Sequence, residues 1–277
     1  MIFGVLILIL SFFSFQNISN DQSIYYLEKM ISVIDNIETL EYELVSEERI
    51  ADKIFYTHSK VKLNVSPFKC YTYVIKPNNG VEILLNSSSD YALVNPNGFP
   101  FMNIRLDPLG KVLRKDQHNT LFDSGFKIIR DVTYSFIDVL KASPSHYLKD
   151  NYIASFSERT CYVLKIHNPD FFYESYTVKE KETIYDIALK YNLSSYHILV
   201  KNNLSFYTDI SKGDKILLPN SYGQSFEIWI DTETFLPVVQ KIFIEGKLFE
   251  NYQFNNIIIN QEFDDNEFSE NYHEYNF

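Results

Sequence analysis

The chain is 277 residues long, 45% hydrophobic and 22% charged, an ordinary globular composition in a length that accommodates two domains. A formal net charge of −11 excludes nucleic acid as a partner, since phosphates demand a basic surface. The 21 Tyr and 23 Phe beside only 8 Gly favour strands and point to a β-rich body.

Residues 1–15 are almost wholly apolar. A run of about fourteen falls short of the ~20 residues that span a bilayer, and polar residues follow at once. Residues 1–19 therefore read as a secretory signal peptide, cleaved between 14 and 20. No Lys or Arg precedes the run, which keeps an uncleaved tether as the alternative. The first cysteine is Cys70, which excludes a lipoprotein anchor at the mature N-terminus. An exported chain permits disulfides. Cys70 and Cys161 both fall in strand patterns, and either a bridge between them or two buried thiols fits.

From residue 21 to 37, Ile24, Leu27, Ile31 and Ile34 form one apolar stripe and Tyr26, Met30, Val33 and Ile37 a second, so a helix buried on two sides is expected. Alternation then predicts strands at 40–44, 55–65, 69–76 and 81–86, the last two joined by the turn Pro77-Asn78-Asn79-Gly80. A short strand at 91–94 meets Asn95-Pro96-Asn97-Gly98. Phe126, Ile129, Thr133, Phe136 and Leu140 recur at helical spacing within 124–140, and 161–167 reads as a strand.

Residues 175–178 predict a short strand, after which Thr183 offers a side-chain oxygen as a helix cap. Ile184, Ile187, Ala188 and Tyr191 fall on one helical face. Ser194 or Ser195 can cap a second helix carrying Ile198 and Leu199, which ends at Asn202-Asn203. A polar turn through Gly213 leads to a strand at 215–218, stopped by Pro219.

The opening Tyr176-Thr177-Val178, Thr183-Ile184, Ile187-Ala188 with Tyr191, Asn202, Gly213-Asp214 and Leu217-Leu218-Pro219 resemble a LysM domain, the βααβ module that binds N-acetylglucosamine polymers. The resemblance covers the whole module with one departure: Lys181-Glu182 stand where the family usually has Gly-Asp. It implies a glycan groove between residues 179–185 and 203–210, formed by Lys181, Glu182, Thr183, Ile184, Tyr185, Leu204, Ser205, Phe206, Asp209 and Ile210. Ile184, Leu204 and Ile210 are expected to line an apolar dimple for the N-acetyl methyl, with Tyr185 or Phe206 stacking on a pyranose face.

Beyond the module, residues 226–231, 237–245 and 247–259 predict a closing meander with a tight turn at Gly246. Ile230-Asp231, Thr232 to Pro237, Asn260 and Asp265-Asn266-Glu267-Phe268 resemble the last strands of LolA/LolB-like periplasmic lipoprotein-carrier domains. This second resemblance implies an α+β fold, an unclosed antiparallel β-barrel wrapped round helices, in which the LysM module is inserted. The expected division is a body at 20–174 and 221–268, an inserted LysM at 175–220, and an acidic tail at 269–277. Six acidic residues between 261 and 277 suggest that the tail is solvated.

No catalytic signature stands out: neither G-x-S-x-G, H-E-x-x-H nor a Gly-rich phosphate loop occurs. His58, His118, His146, His167, His197 and His273 lack metal-ligand spacing, and His197 is expected on an exposed helix face. Asp231 with Glu233 is the one carboxylate pair of interest, with a turn role favoured. No cofactor or metal is called for. The reading is a non-enzymatic protein of the periplasm or cell envelope of a diderm bacterium, with peptidoglycan or another N-acetylglucosamine polymer as partner. Alternatives are a lipid or lipoprotein carrier that holds acyl chains in its barrel, and a glycan-processing enzyme targeted by the LysM. An apolar cavity supports carriage, and a cleft with converging carboxylates or a His supports the enzyme.

Overall fold

The computed structural model describes residues 17–264 and 266–277, so the expected leader lies outside the described residues as far as residue 16. Ser19 opens helix α1 (Asn20–Ile34) with a capping box to Gln22, and the helix buries Leu27, Met30 and Ile31. Six strands follow, β1 (Thr39–Ile50), β2 (Lys53–Asn64), β3 (Lys69–Lys76), β4 (Glu82–Asn86), β5 (Ala92–Asn95) and β6 (Ile104–Leu106). An irregular strap, residues 107–126, leads to α2 (Lys127–Ala142) and the short α3 (Pro144–Tyr147). After β7 (Tyr152–Phe156) and β8 (Arg159–His167) come β9 (Tyr173–Thr177), α4 (Ile184–Tyr191), α5 (Ser195–Lys201) and β10 (Lys215–Pro219). The chain closes with β11 (Ser225–Asp231), β12 (Pro237–Ile244) and β13 (Lys247–Ile259).

Eleven of these strands make one antiparallel sheet in the order β6-β5-β4-β3-β2-β1-β13-β12-β11-β8-β7. Among the described residues the edge strands β6 and β7 do not pair, so the barrel is unclosed. Strand alternation puts Leu40, Tyr42, Val61, Leu63, Cys70 and Leu85 on the inner face, where Leu27 and Met30 of α1 and Ile129, Ile137 and Leu140 of α2 complete one core. This is the α+β half-barrel expected from the sequence. Helix α2 begins at Lys127 rather than 124, because Gly125 takes a left-handed φ of 86° and gives its N–H to the Tyr42 hydroxyl at 2.9 Å.

The module at 173–219 sits where a hairpin loop would be. β8 and β11 are direct antiparallel neighbours, with His167 opposite Ser225. β9 and β10 pair with each other in a separate two-stranded sheet, with Tyr173 opposite Pro219. Paired end strands bring entry and exit of the module together, so it interrupts the β8–β11 hairpin without separating those strands.

Of the two alternatives open for the cysteines, the structure has the buried thiols: Cys70 and Cys161 are free, with no disulfide between them. Cys70 lies on β3 and Cys161 on β8, with β2, β1, β13, β12 and β11 between them in the sheet, and a bridge requires Cα atoms within about 7 Å. The C-terminal segment is not a free solvated tail. Phe268 is buried against Tyr71 and Leu84, Tyr275 stacks on Tyr71 at 3.7 Å, and the Asn276 N–H donates to Glu82 at 2.9 Å. Tyr71 and Leu84 alternate with the core residues Cys70 and Leu85, so the segment covers the outer face of the same strands.

Candidate functional site: an inserted module docked on a half-barrel

Each element of the module is closed by its own side chains. Thr183 and Asp186 form a capping box at the start of α4, and the Ser194 hydroxyl accepts the His197 N–H at the start of α5. The Asn202 amide donates to the carbonyls of Ile198 and Leu217 and accepts the Leu217 N–H at 2.7 Å, fastening the end of α5 to β10. Val178, Ile184, Ile187, Ala188, Leu193, Ile198, Tyr207, Ile216 and Leu218 fill a small separate core.

The position where Gly is usual in the resembling pattern holds Lys181, and its φ is 64°. The loop therefore keeps a left-handed residue there and accepts the cost of a side chain, of order 1–2 kcal/mol. Glu182, in the Asp position, accepts the Lys179 N–H at 2.7 Å and the Tyr176 hydroxyl at 2.8 Å. Burial would raise its carboxyl, but those donors and Lys190 outweigh it and hold the group below the usual carboxylate range.

The ten expected groove residues are not all accessible at the surface. Lys181, Ser205 and Asp209 are exposed, and Glu182, Thr183, Leu204, Phe206 and Ile210 are half-buried. Ile184 is fully buried in the module core, and its N–H is taken by the Tyr207 carbonyl at 2.9 Å, so it does not line a dimple. Tyr185 turns away from the groove to the body, where its hydroxyl lies 3.3 Å from Asp123 and from Thr120. Of the two rings expected to stack on sugar, Phe206 is the one left at the rim.

The body grips the module through the strap. Arg114 is buried, donates to the Ser195 hydroxyl at 2.7 Å and lays its guanidinium 3.2 Å from the centroid of Tyr207. Its remaining Nε and Nη1 are buried and have no protein partner. Tyr196 stacks on His118 at 4.3 Å and accepts the Ala51 N–H at 3.1 Å. Beside them Tyr222, Ile242 and Phe249 form an apolar cluster with Tyr196, Ile128 and Val132. His197 is buried here, not exposed as expected, with its ring 5.7 Å from Phe249 and its Nε2 2.9 Å from the Tyr173 hydroxyl. Burial pushes it down to about 4, so it is neutral, and it shares one hydrogen bond with that hydroxyl.

A buried charged cluster lies under this interface. Glu48 and Glu250 face one another in the β1–β13 register and would repel. His118 relieves them: its Nδ1 is 3.2 Å from Glu250, its Nε2 is 2.9 Å from the Arg49 carbonyl, and its N–H donates to Glu48. Both ring nitrogens lie beside oxygens that can accept, an arrangement that favours the protonated ring. Burial would lower it, yet the Glu48 and Glu250 charges raise it overall. Burial also raises Glu48, against the pull of His118 and of the Tyr252 hydroxyl bonded to it. Gln240, Tyr222 and Tyr252 donate to Glu250. A signal for the cluster exists in the chain, since Glu48 falls on the inward parity of Leu40, Tyr42 and Ser46 in β1.

Two cavities open on the inner face of the sheet. One, about 530 Å³, is walled by Tyr42, Leu44, Val61, Ile83, Val94 and Phe254 and roofed by the strap. The other, about 270 Å³, lies between α2, the sheet and the module, with Val132, Phe136, Ile166, Phe226 and Ile242 in its wall beside Tyr191 and Asn192. Ile128, Ile129 and Gln240 line both. Asp231 accepts the N–H groups of Glu233 and Thr234 at 2.9 and 2.8 Å, so it builds the β11–β12 turn.

The LysM domain family model matches residues 176–219. The insert is a match to LysM. No curated protein sequence matches the chain. Solved structures similar to it include a DUF1329 family protein from Desulfovibrio piger, at 11% identity and a TM-score of 0.35, with 90% of this chain and 97% of that chain covered. The MucA/MucB complex of Pseudomonas aeruginosa is similar at 12% identity and a TM-score of 0.41, with 89% of this chain and 60% of that one covered. A LolA superfamily protein from Nitrosomonas europaea is similar at 11% identity and a TM-score of 0.31, covering 87% and 94%. Likenesses this distant carry no argument about function. Among the described residues no helix is long and apolar enough to cross a membrane.

Proposed function

We propose that this is a non-enzymatic protein of the bacterial cell envelope that binds N-acetylglucosamine-containing glycan, peptidoglycan above all, through its inserted LysM module. The observation that carries the reading is the match of the whole LysM pattern over residues 176–219, together with the left-handed backbone that Lys181 keeps in the groove loop. Peptidoglycan as ligand fits a periplasmic location in a diderm bacterium. The module and the body are read as two folded units at 175–220 and at 20–174 with 221–268.

The carrier reading is supported by the 530 and 270 Å³ cavities that α1 and α2 leave unfilled. An acyl chain from a lipid or lipoprotein suits their Phe, Tyr, Ile, Val and Leu walls. The enzyme reading draws less support. Glu48, His118 and Glu250 do converge, but His118 and Glu250 line neither cavity, and their polar atoms are spent on one another.

The test is sedimentation of the full chain with purified peptidoglycan sacculi. The protein is expected in the pellet, released by soluble chitohexaose but not by a cello-oligosaccharide that lacks the N-acetyl group. Protein left in the supernatant, or release by both sugars alike, contradicts the proposal.

A further inference from the structure

We propose that the half-barrel body completes the glycan groove with Lys111, and that this composite site prefers N-acetylhexosamine polymers bearing carboxylates over neutral ones. The inference rests on the glycan-binding reading and adds a residue from outside the LysM module to it.

Lys111 lies on the strap, and its Nζ sits 5.2 Å from the centroid of Phe206, the aromatic ring left at the groove rim. Its position is anchored rather than free. Arg114, three residues on, is buried under Tyr207 and bonded to Ser195, and the Arg114 N–H closes a turn onto the Gly110 carbonyl at 3.1 Å. That turn carries Lys111 to the rim. A cation–π contact at an exposed site is weak and occupies one side of the ammonium, so its N–H donors stay available to a ligand.

On the other groove loop Lys181 is exposed. Among the described residues neither Lys111 nor Lys181 takes part in an ion pair, in a chain whose net charge is −11. The carboxylates of these loops are partly committed, Glu182 to Lys179 and Tyr176 and Glu180 to Lys212, while Asp209 is exposed. Lys111 beside Phe206 and Lys181 on the other expected groove loop therefore bring two lysines without an ion pair to the module of an acidic molecule. A neutral N-acetylglucosamine polymer offers them only uncharged hydroxyl and carbonyl acceptors. A glycan in which alternate sugars carry a lactyl carboxylate offers an anion at a regular interval, and charge-assisted N–H···O contacts follow.

The test compares two probes on the full chain by calorimetry at low salt: chitohexaose, and peptide-free peptidoglycan strands with exposed lactyl carboxylates. The wild type is expected to bind the acidic strands more tightly. Lys111→Gln should lose roughly two- to five-fold more affinity for them than for chitohexaose. Lys111→Arg should restore the preference, and raised salt should erase it. Equal binding of both probes by the wild type, or an equal loss for both in Lys111→Gln, overturns the inference and leaves glycan binding standing. Binding of neither probe overturns the glycan reading itself and the inference with it.

Discussion

His197 shows how one buried side chain ties the module to solution conditions. Its ring lies among Phe249, Phe171 and Tyr173 and is held neutral, with its proton affinity moved from the ordinary 6.5 down to about 4. Between those values the unfolded chain takes up a proton that the folded one refuses. The stabilisation is therefore complete above pH 6.5 and is lost as pH falls toward 4. The full shift corresponds to about 3 kcal/mol. Thermal unfolding of the wild type and of His197→Gln at pH 7, 5.5 and 4 isolates the effect, because Glu48 and His118 titrate in both. The wild type should lose stability relative to the variant as pH falls, and a constant difference across that range would contradict the account.

At the scale of elements, the strap joins what the sequence presents as separate. Its residues serve two jobs. Leu113, Lys115, Asp116, Gln117 and Asn119 wall the larger cavity, Arg114 and His118 reach the module or its buried support, and Thr120 and Asp123 do both. Arg114→Ala removes the Ser195 bond and the Tyr207 stack, a loss of about 2 kcal/mol for a charged hydrogen bond. Calorimetry should show one cooperative transition in the wild type, since module and body share the Tyr222–Phe249 cluster, and a lower midpoint in the variant. Two well-separated transitions in the wild type would mean that the module hangs from its connectors without docking.

The regular elements were legible because their signals are local. Two apolar stripes announced α1, alternation announced β1 to β4, and Gly80 and Gly246 sit at turns with φ of 87° and 74°. The elements of the LysM module were legible down to the Thr183 cap and the end of α5 at Asn202, whose clamp onto β10 was not. The strap was not, since it has no period and acts through single residues such as Arg114 whose partners lie 81 positions away. For the same reason Tyr185 and Ile184 looked like groove residues. The helical period fixes which face each occupies, but not that Asp123 would claim the tyrosine or that the module core would claim the isoleucine. The C-terminal segment misled through its acidity. Phe268, Tyr275 and Phe277 sit among the acids and pack on Tyr71, while Lys62 pairs with Glu267.

On the scale of the whole molecule, an open sheet supplies a rigid frame, and a hairpin within it is extended into a LysM module that folds back onto the strap. The strap walls the larger cavity and also touches the module at Tyr207 and Phe206. Under the proposed function, that arrangement would hold the cavity at a fixed position relative to a bound glycan. Everything in that picture depends on the groove loops being the place where glycan binds. Hydrogen exchange of the full chain with and without saturating chitohexaose measures this most directly. The account predicts added protection confined to residues 179–185 and 203–210, with a smaller effect at 109–114 of the strap. Unchanged exchange in both loops, or protection that appears only on the half-barrel, would contradict it.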